Sequence, residues 1–108
     1  MIYELRVYRC MPGKLPDLLK RFESVTLKIW ERHGIRQVGF WTTVIGEDNQ
    51  VLHYMLEWKD MAERERVWSG FMSDPEWVKA RGDSESNGPI LAQISSSFLA
   101  PTAFSKLK

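Results

Sequence analysis

Two stretches decide the fold: residues 2–10, IYELRVYRC, and residues 51–58, VLHYMLEW. Both alternate between two kinds of side chain, which predicts β-strands, because successive side chains of a strand point to opposite faces. The apolar positions of these stretches are Tyr3, Leu5, Val7, Leu52, Tyr54, Leu56 and Trp58. Each strand is therefore predicted to turn an apolar face under helices and a mixed face toward a pocket or a partner.

The segment between the two stretches predicts a helix and a strand. Apolar residues recur at spacings of three and four from about Lys14 to Arg32, as on one face of a helix, and Gly34 is a natural helix stop. Residues 37–45 alternate again and predict a strand. The turn residues of Gly46-Glu47-Asp48-Asn49-Gln50 join it to the strand at 51–58 as a hairpin.

The last part of the chain predicts a second helix and a fourth strand. Asp60 is a good N-cap, and Glu63 follows it at the spacing of a capping box. Ser73-Asp74-Pro75 interrupts this helix, and Pro75 suits the first position of a further turn. Residues 81–88 are polar and predict a loop, and residues 89–99 predict the last strand.

The predicted order is βαββαβ, the ferredoxin-like α+β arrangement of a four-stranded antiparallel sheet with both helices on one face. The helices are predicted to cover Tyr3, Leu5, Val7, Val38, Phe40, Leu52, Tyr54, Leu56, Ile94 and Phe98. The open face is predicted to carry Ile2, Glu4, Arg6, Tyr8, Trp41, His53, Met55 and Glu57. Aromatic surface is unfavourable in water, so we expect a second copy to cover it in a homodimer.

Composition limits the function classes. The 108 residues suit a single domain, 1–108, with residues 101–108 as a C-terminal tail. A net charge of +1 argues against a nucleic-acid-binding protein, which usually has a basic excess. The two histidines and one cysteine have no ligand spacing, so neither a metal site nor a cofactor is predicted.

The expected location is the cytoplasm. Cys10 is the only cysteine, which fits a reducing compartment. No apolar run approaches the roughly 18 residues of a spanning helix. The first residues already read as a strand, so no leader peptide is expected.

Motifs along nearly the whole chain resemble the NIPSNAP family, within the wider dimeric α+β barrel group. They are Tyr3-Glu4-Leu5-Arg6 with Tyr8, Pro12-Gly13-Lys14, His33-Gly34, Gly39-Phe40-Trp41-Thr42-Thr43, Asn49-Gln50-Val51 with His53, Ala62-Glu63-Arg64, Asp74-Pro75-Glu76-Trp77 and Pro101-Thr102-Ala103-Phe104-Ser105. The resemblance implies a homodimer whose two sheets enclose a barrel, and it implies no agreed catalytic activity. The wider group includes cofactor-independent monooxygenases, heme-degrading enzymes and muconolactone isomerases.

The candidate site is a group of four charged or titratable side chains on the two central strands: Glu4, Arg6, His53 and Glu57. If they converge on the open face, Arg6 can bind a carboxylate and His53 can act as a base near neutral pH. The walls of this ligand site would be Tyr8, Trp41, Thr43 and Met55. The alternative is a buried charge network that satisfies itself inside the dimer, which the residues favour.

Three functions stay open at this point. The first is a homodimer of no established activity that binds a small apolar or aromatic molecule in the barrel between its sheets. The second is a cofactor-independent monooxygenase-like or isomerase-like enzyme that uses His53 and Arg6, with Glu57 as a further catalytic candidate. The third is a protein-interaction scaffold. Whether the chain is an enzyme is not decided by the sequence.

Overall fold

A computed structural model describes residues 1–108. Its elements are β1 (Ile2–Cys10), α1 (Leu15–Arg21), a π-helical segment (Phe22–Thr26), α2 (Leu27–His33), β2 (Arg36–Thr42), β3 (Val51–Trp58), α3 (Met61–Met72), α4 (Pro75–Ser84) and β4 (Leu91–Leu99). The predicted βαββαβ order is confirmed, with each predicted helix divided into parts. No helix has the length and apolar character that are needed to span a bilayer.

The four strands form one antiparallel sheet in the order β2-β3-β1-β4, so β1 and β3 are the central pair, as predicted. The helices pack on one face of it. The ring of Phe22 lies 6.1 Å from that of Tyr8, and the ring of Trp30 lies 5.5 Å from that of Tyr54. These contacts identify the helix-covered face, and the predicted ferredoxin-like α+β fold is confirmed.

The register of β1 against β3 corrects the prediction of which β1 face lies under the helices. Arg6 stands opposite Tyr54, so the even positions of both strands share the covered face. Glu4, Arg6 and Tyr8 are therefore buried under the helices, and the open face carries Tyr3, Leu5 and Val7. The prediction was wrong because alternation defines two faces for a strand, whereas the partners available to each face decide which one turns inward.

The other strands follow the predicted faces more closely. Leu52, Tyr54 and Leu56 are buried on the covered face. Ile94 and Phe98 share that face by register, opposite Tyr8 and Glu4, yet they remain 48% and 42% exposed because β4 is an edge strand. The register of β2 shifts between Gln37 and Gly39, so Val38 lies in a bulge without a partner in β3.

The first helix runs continuously from α1 into α2 through the π-helical segment. Pro16 lies in its first turn, as predicted, and Gly34 ends it with a φ of 76°. Within the π-helical segment the Thr26 hydroxyl donates to the Arg21 carbonyl over 3.3 Å. Such a segment inserts an extra residue into a helix turn and is frequent at functional sites.

Two boundaries differ from the prediction. Strand β2 ends at Thr42, so Val44 and Ile45 lie in the loop and are 94% and 95% exposed. Helix α4 continues to Ser84, through residues predicted to form a loop. Arg21 contacts Ser84 over 3.3 Å, a tertiary contact that local sequence composition cannot indicate.

Asp74 ties the C-terminal end of α2 to the N-terminus of α4. One carboxylate oxygen accepts from the Glu76 backbone N–H, the predicted N-cap bond. The other lies 2.8 Å from the Arg32 guanidinium and 2.7 Å from His33 Nε2. The hydrogen bond with His33, with those from Arg32 and Glu76 adding to it, lowers the pKa of Asp74 to about 2.

We expect the contribution of Asp74 to stability to disappear in acid. A carboxyl whose folded pKa is depressed stabilises the fold above its ordinary pKa of 3.8, and this contribution falls as the pH falls toward about 2. Asp74→Asn removes the charge and keeps an oxygen for the cap. Urea unfolding should show a large stability difference between wild type and Asp74→Asn at pH 6 and a smaller one at pH 2.5. A difference that is independent of pH would contradict the prediction.

Candidate functional site

Glu4 is fully buried at the centre of the covered face and accepts five hydrogen bonds. One oxygen receives Arg6 Nη1 at 2.7 Å, the Ser96 hydroxyl at 2.8 Å and Arg64 Nη2 at 3.2 Å. The other receives Trp58 Nε1 at 3.1 Å and Arg64 Nε at 3.3 Å. The carboxylate therefore has its acceptor capacity filled by protein groups alone.

Arg6 is the second member of this network. Its Nε donates to the Tyr54 hydroxyl at 2.7 Å, and its Nη2 donates to the Tyr8 hydroxyl at 3.2 Å. The Tyr54 hydroxyl donates in turn to that of Tyr8 at 2.8 Å. The guanidinium also lies over the ring of Trp68, 4.5 Å from its centroid, which is cation–π geometry.

The electrostatics keep the network charged. Burial opposes ionisation of Glu4, but hydrogen bonds from Arg64, Arg6 and Ser96 outweigh it and hold the pKa of Glu4 below its ordinary value. Burial also opposes the charge of Arg6, yet the neighbouring hydroxyls and Glu4 raise its pKa. Burial raises the pKa of Tyr54 well above its ordinary value, so this phenol stays a proton donor. Glu4 and Arg6 thus form a buried charge network beneath the helices, and not in a barrel between two sheets.

The other two candidates lie on the opposite, open face. His53 and Glu57 are odd positions of β3, across the sheet from the Glu4–Arg6 pair. Glu57 pairs with Arg36 over 3.3 Å, and His53 Nε2 lies 3.4 Å from the Thr43 hydroxyl. The predicted convergence of all four side chains is wrong, because the antiparallel register places even and odd positions on opposite sides of the sheet.

The predicted walls divide in the same way. Tyr8 belongs to the helix-covered network. Trp41 stands opposite His53 on the open face, where it is 52% exposed, and half-buried Met55 lies between Leu5 and Gly39 on that face. Among the predicted site residues, Glu4, Arg6 and Tyr8 thus contact one another on the covered face, and His53 contacts Thr43 on the open side.

His53 and Thr43 line a shallow groove of about 480 Å³ at the loop end of the open face. Its other lining residues are Arg9, Thr42, Val44, Ile45, Gly46, Glu47, Asp48 and Val51. Arg9 was not among the predicted site residues; it is exposed and lies at the end of β1 opposite Val51. The sequence holds no local signal for it, because the register of β1 against β3 decides which positions of β1 share a face with His53. This groove therefore places a cation beside the histidine, the role predicted for Arg6.

We predict that Glu4→Gln destabilises the fold by about 3–5 kcal/mol, because it leaves Arg6 and Arg64 buried without their carboxylate. Urea unfolding at pH 7 measures this. The control is Glu23→Gln, which removes an exposed carboxylate from the first helix and should leave stability within about 0.5 kcal/mol of wild type. If both substitutions lowered the free energy of unfolding equally, the buried network would contribute no more to stability than an exposed carboxylate does.

Comparisons with known proteins agree on one family. The family model described as NIPSNAP matches residues 3–106. No protein with a curated description matches the chain.

Solved structures extend this result. The chain is 30% identical to an uncharacterized NIPSNAP domain protein from Burkholderia xenovorans, with a TM-score of 0.84 over 97% of this chain and 98% of that one. It is 25% identical to a NIPSNAP family protein of unknown function from Agrobacterium tumefaciens, with a TM-score of 0.87 over 100% of this chain and 94% of that one. An antibiotic biosynthesis monooxygenase shares the fold alone, at 11% identity and a TM-score of 0.61 over 94% of this chain and 99% of that one. The match over nearly all of its length, together with these structures, shows that the chain belongs to the NIPSNAP family.

Proposed function

We propose that the protein is a homodimeric binding protein, in which the open sheet faces of two copies pack together and enclose a small apolar or aromatic molecule. The observation that carries this proposal is the apolar character of the open face. Leu5, Val7 and Met55 lie side by side on the central strands, with exposed Trp41 and Leu99 on the flanking strands. The helices cover the other face, and a second copy seated on the open face would remove its exposed apolar surface from water.

The position of Trp41 supports a role for its side chain in the contact between the two copies. A Cβ built on Gly39 would stand 2.8 Å from the Trp41 ring, so the indole lies across the glycine, close against the sheet. Tryptophan held in this way presents a large apolar area at little conformational cost on binding. The absence of a side chain at Gly39 is what permits the arrangement.

The loop after β2 supports the same interface. Val44 and Ile45 are almost fully exposed next to the open face. A sheet of four strands, each seven to nine residues long, offers roughly 500 Å² in projection. Stable interfaces bury about 800 Å² per partner. The loop therefore supplies apolar area that a dimer of this size needs beyond its sheets.

The proposed ligand position is the groove beside His53. In one copy alone this groove is open to solvent, and a facing sheet would close it. Its polar side chains are those of Arg9, Thr42, Thr43, Glu47, Asp48 and His53, and its apolar side chains are those of Val44, Ile45 and Val51. A facing sheet would add apolar side chains to this mixed lining, and an apolar enclosure with a few convergent polar groups is typical of small-molecule sites.

An enzyme of monooxygenase or isomerase type is the alternative function. In this geometry it would use His53 with Arg9, because Arg6 lies on the other side of the sheet. The structural neighbours support the fold for this alternative and not the chemistry.

No particular observation favours the scaffold function. The cytoplasmic location, which the single cysteine favours, stays a prediction.

We predict that Trp41→Glu converts the dimer to a folded monomer, because it would bury a charge in the sheet-to-sheet contact. Native mass spectrometry and light scattering measure the assembly, and circular dichroism measures folding. Val78→Glu is the matched control, since Val78 is a 55% exposed apolar residue of α4 on the helix side. A wild-type monomer, or a Trp41→Glu protein that dimerises as wild type does, would contradict the interface.

We also predict that the dimer binds 1-naphthol, a neutral aromatic probe with one hydroxyl. His53→Ala should weaken this binding about five- to tenfold, as expected for the loss of one hydrogen bond. Isothermal titration of wild type and variant measures both affinities. His33→Ala is the control, since His33 lies on the helix side and contacts Asp74. If His53→Ala and wild type bound 1-naphthol with equal affinity, the groove beside His53 would not be the binding site.

A further inference from the structure

A second cavity lies on the other side of the sheet, between the sheet and the helices. It has a volume of about 90 Å³, and its walls are mostly hydrophobic, with nine of thirteen lining residues of that kind. Six of these are aromatic, from β1, the π-helical segment, α2, α3 and α4: Tyr8, Phe22, Trp30, Trp68, Phe71 and Trp77. Three arginines, Arg6, Arg21 and Arg81, also line it, and no carboxylate does. An apolar cavity whose only charged lining groups are cations suits a molecule that is partly apolar and carries a negative charge.

The unsatisfied polar atoms of the protein concentrate at this cavity. Four buried side-chain nitrogen or oxygen atoms lack a hydrogen-bond partner, and three belong to lining residues: Arg21 Nε, Trp30 Nε1 and Trp77 Nε1. Each of these groups donates and cannot accept. A buried donor without a partner is costly and requires an explanation. A molecule that is rich in acceptors would supply the missing partners.

Charge points to an anion. Arg21 is 5% exposed, and its closest carboxylate, that of Glu85, is 3.6 Å away. Its guanidinium lies over the ring of Trp77, 5.3 Å from the centroid. Arg6, in contrast, is already neutralised by Glu4 at 2.7 Å. Burial lowers the pKa of Arg21, and the Glu85 carboxylate offsets this effect only in part.

The three residues that carry the unsatisfied donors are linked through ring contacts. Arg21 stacks on Trp77, the Trp77 ring lies 4.9 Å from Phe71, and Phe71 lies 6.0 Å from Trp30. Arg21 directly precedes the π-helical segment, whose first and last residues, Phe22 and Thr26, also line the cavity. The irregular turn of the first helix therefore lies at this cavity.

We propose that this cavity binds a short aliphatic carboxylate, whose oxygens accept from Arg21 and from the indole N–H groups of Trp30 and Trp77. The volume sets the size, because it is smaller than the roughly 150 Å³ of an engineered cavity that binds benzene. The smaller space here suits an aliphatic chain of a few carbons against Phe22 and Phe71. Exposed Met72, Arg81 and Ile94 mark where the cavity meets solvent. The site is separate from the open-face groove, so either proposal can fail without the other.

The test uses sodium butyrate as the probe and the tryptophan indole N–H signals of the full chain as the readout, by ¹⁵N nuclear magnetic resonance. Trp→Phe variants assign the five signals. Butyrate should shift those of Trp30 and Trp77, because their free N–H groups acquire an acceptor. The Trp58 signal is the internal control, since its N–H already donates to Glu4. Signals of Trp30 and Trp77 that do not move at saturating butyrate would overturn the proposal.

Two comparisons separate carboxylate recognition from simple filling of the cavity. Butyramide has the same shape without the charge and should bind at least tenfold more weakly than butyrate. Arg21→Gln should lower butyrate affinity at least tenfold, and Trp77→Phe, which keeps an aromatic ring, should lower it about fivefold. Circular dichroism confirms that each variant is folded. Equal binding of butyrate and butyramide would show that the cavity is apolar space only, and would overturn the anion site.

Discussion

The buried charge of Glu4 is the constraint on which the rest of the structure depends. A carboxylate at the centre of a sheet, fully removed from water, is tolerable only when charged partners and hydrogen bonds surround it. Arg6 supplies one partner from the same strand, and Arg64 supplies another from α3. The network therefore joins the central strand to the helix layer and fixes the height of α3 above the sheet. The aromatic rings of Tyr8, Tyr54 and Trp68 complete it by enclosing the Arg6 guanidinium.

This inward charge has a consequence on the other side of the sheet. Because Glu4 and Arg6 turn toward the helices, Leu5 and Val7 turn away from them. The open face is consequently more apolar than it would be if Glu4 and Arg6 pointed toward it. The same register that buries the polar network thus creates the surface on which the proposed dimer depends. The buried network and the apolar open face are thus two results of one strand register, and neither can change without the other.

The helix layer carries a different kind of polarity. In the Glu4 network every charged group has close partners, whereas around Arg21 several donors have none. A network whose hydrogen bonds are all made stabilises the fold and orients its side chains. Where buried donors lack partners, a ligand that supplies acceptors gains the most binding free energy. This contrast separates the structural arginine, Arg6, from the arginine proposed to bind a ligand, Arg21. Sequence alone does not distinguish them, since each lies within two residues of an aromatic residue, Tyr8 for Arg6 and Phe22 for Arg21.

The sequence by itself determined the order of elements and the family. Its alternating and helical spacings are local, and caps such as Asp60 and Asp74 and the stop at Gly34 act within a few residues. Only the tertiary structure decided which face of β1 lies inward, because the groups that make its charges tolerable are far away along the chain. Tyr54 is 48 positions from Arg6, and Ser96 is 92 positions from Glu4. The groove at His53 with Arg9, and the cavity at Arg21, likewise exist only where distant segments meet, so no local pattern could indicate them.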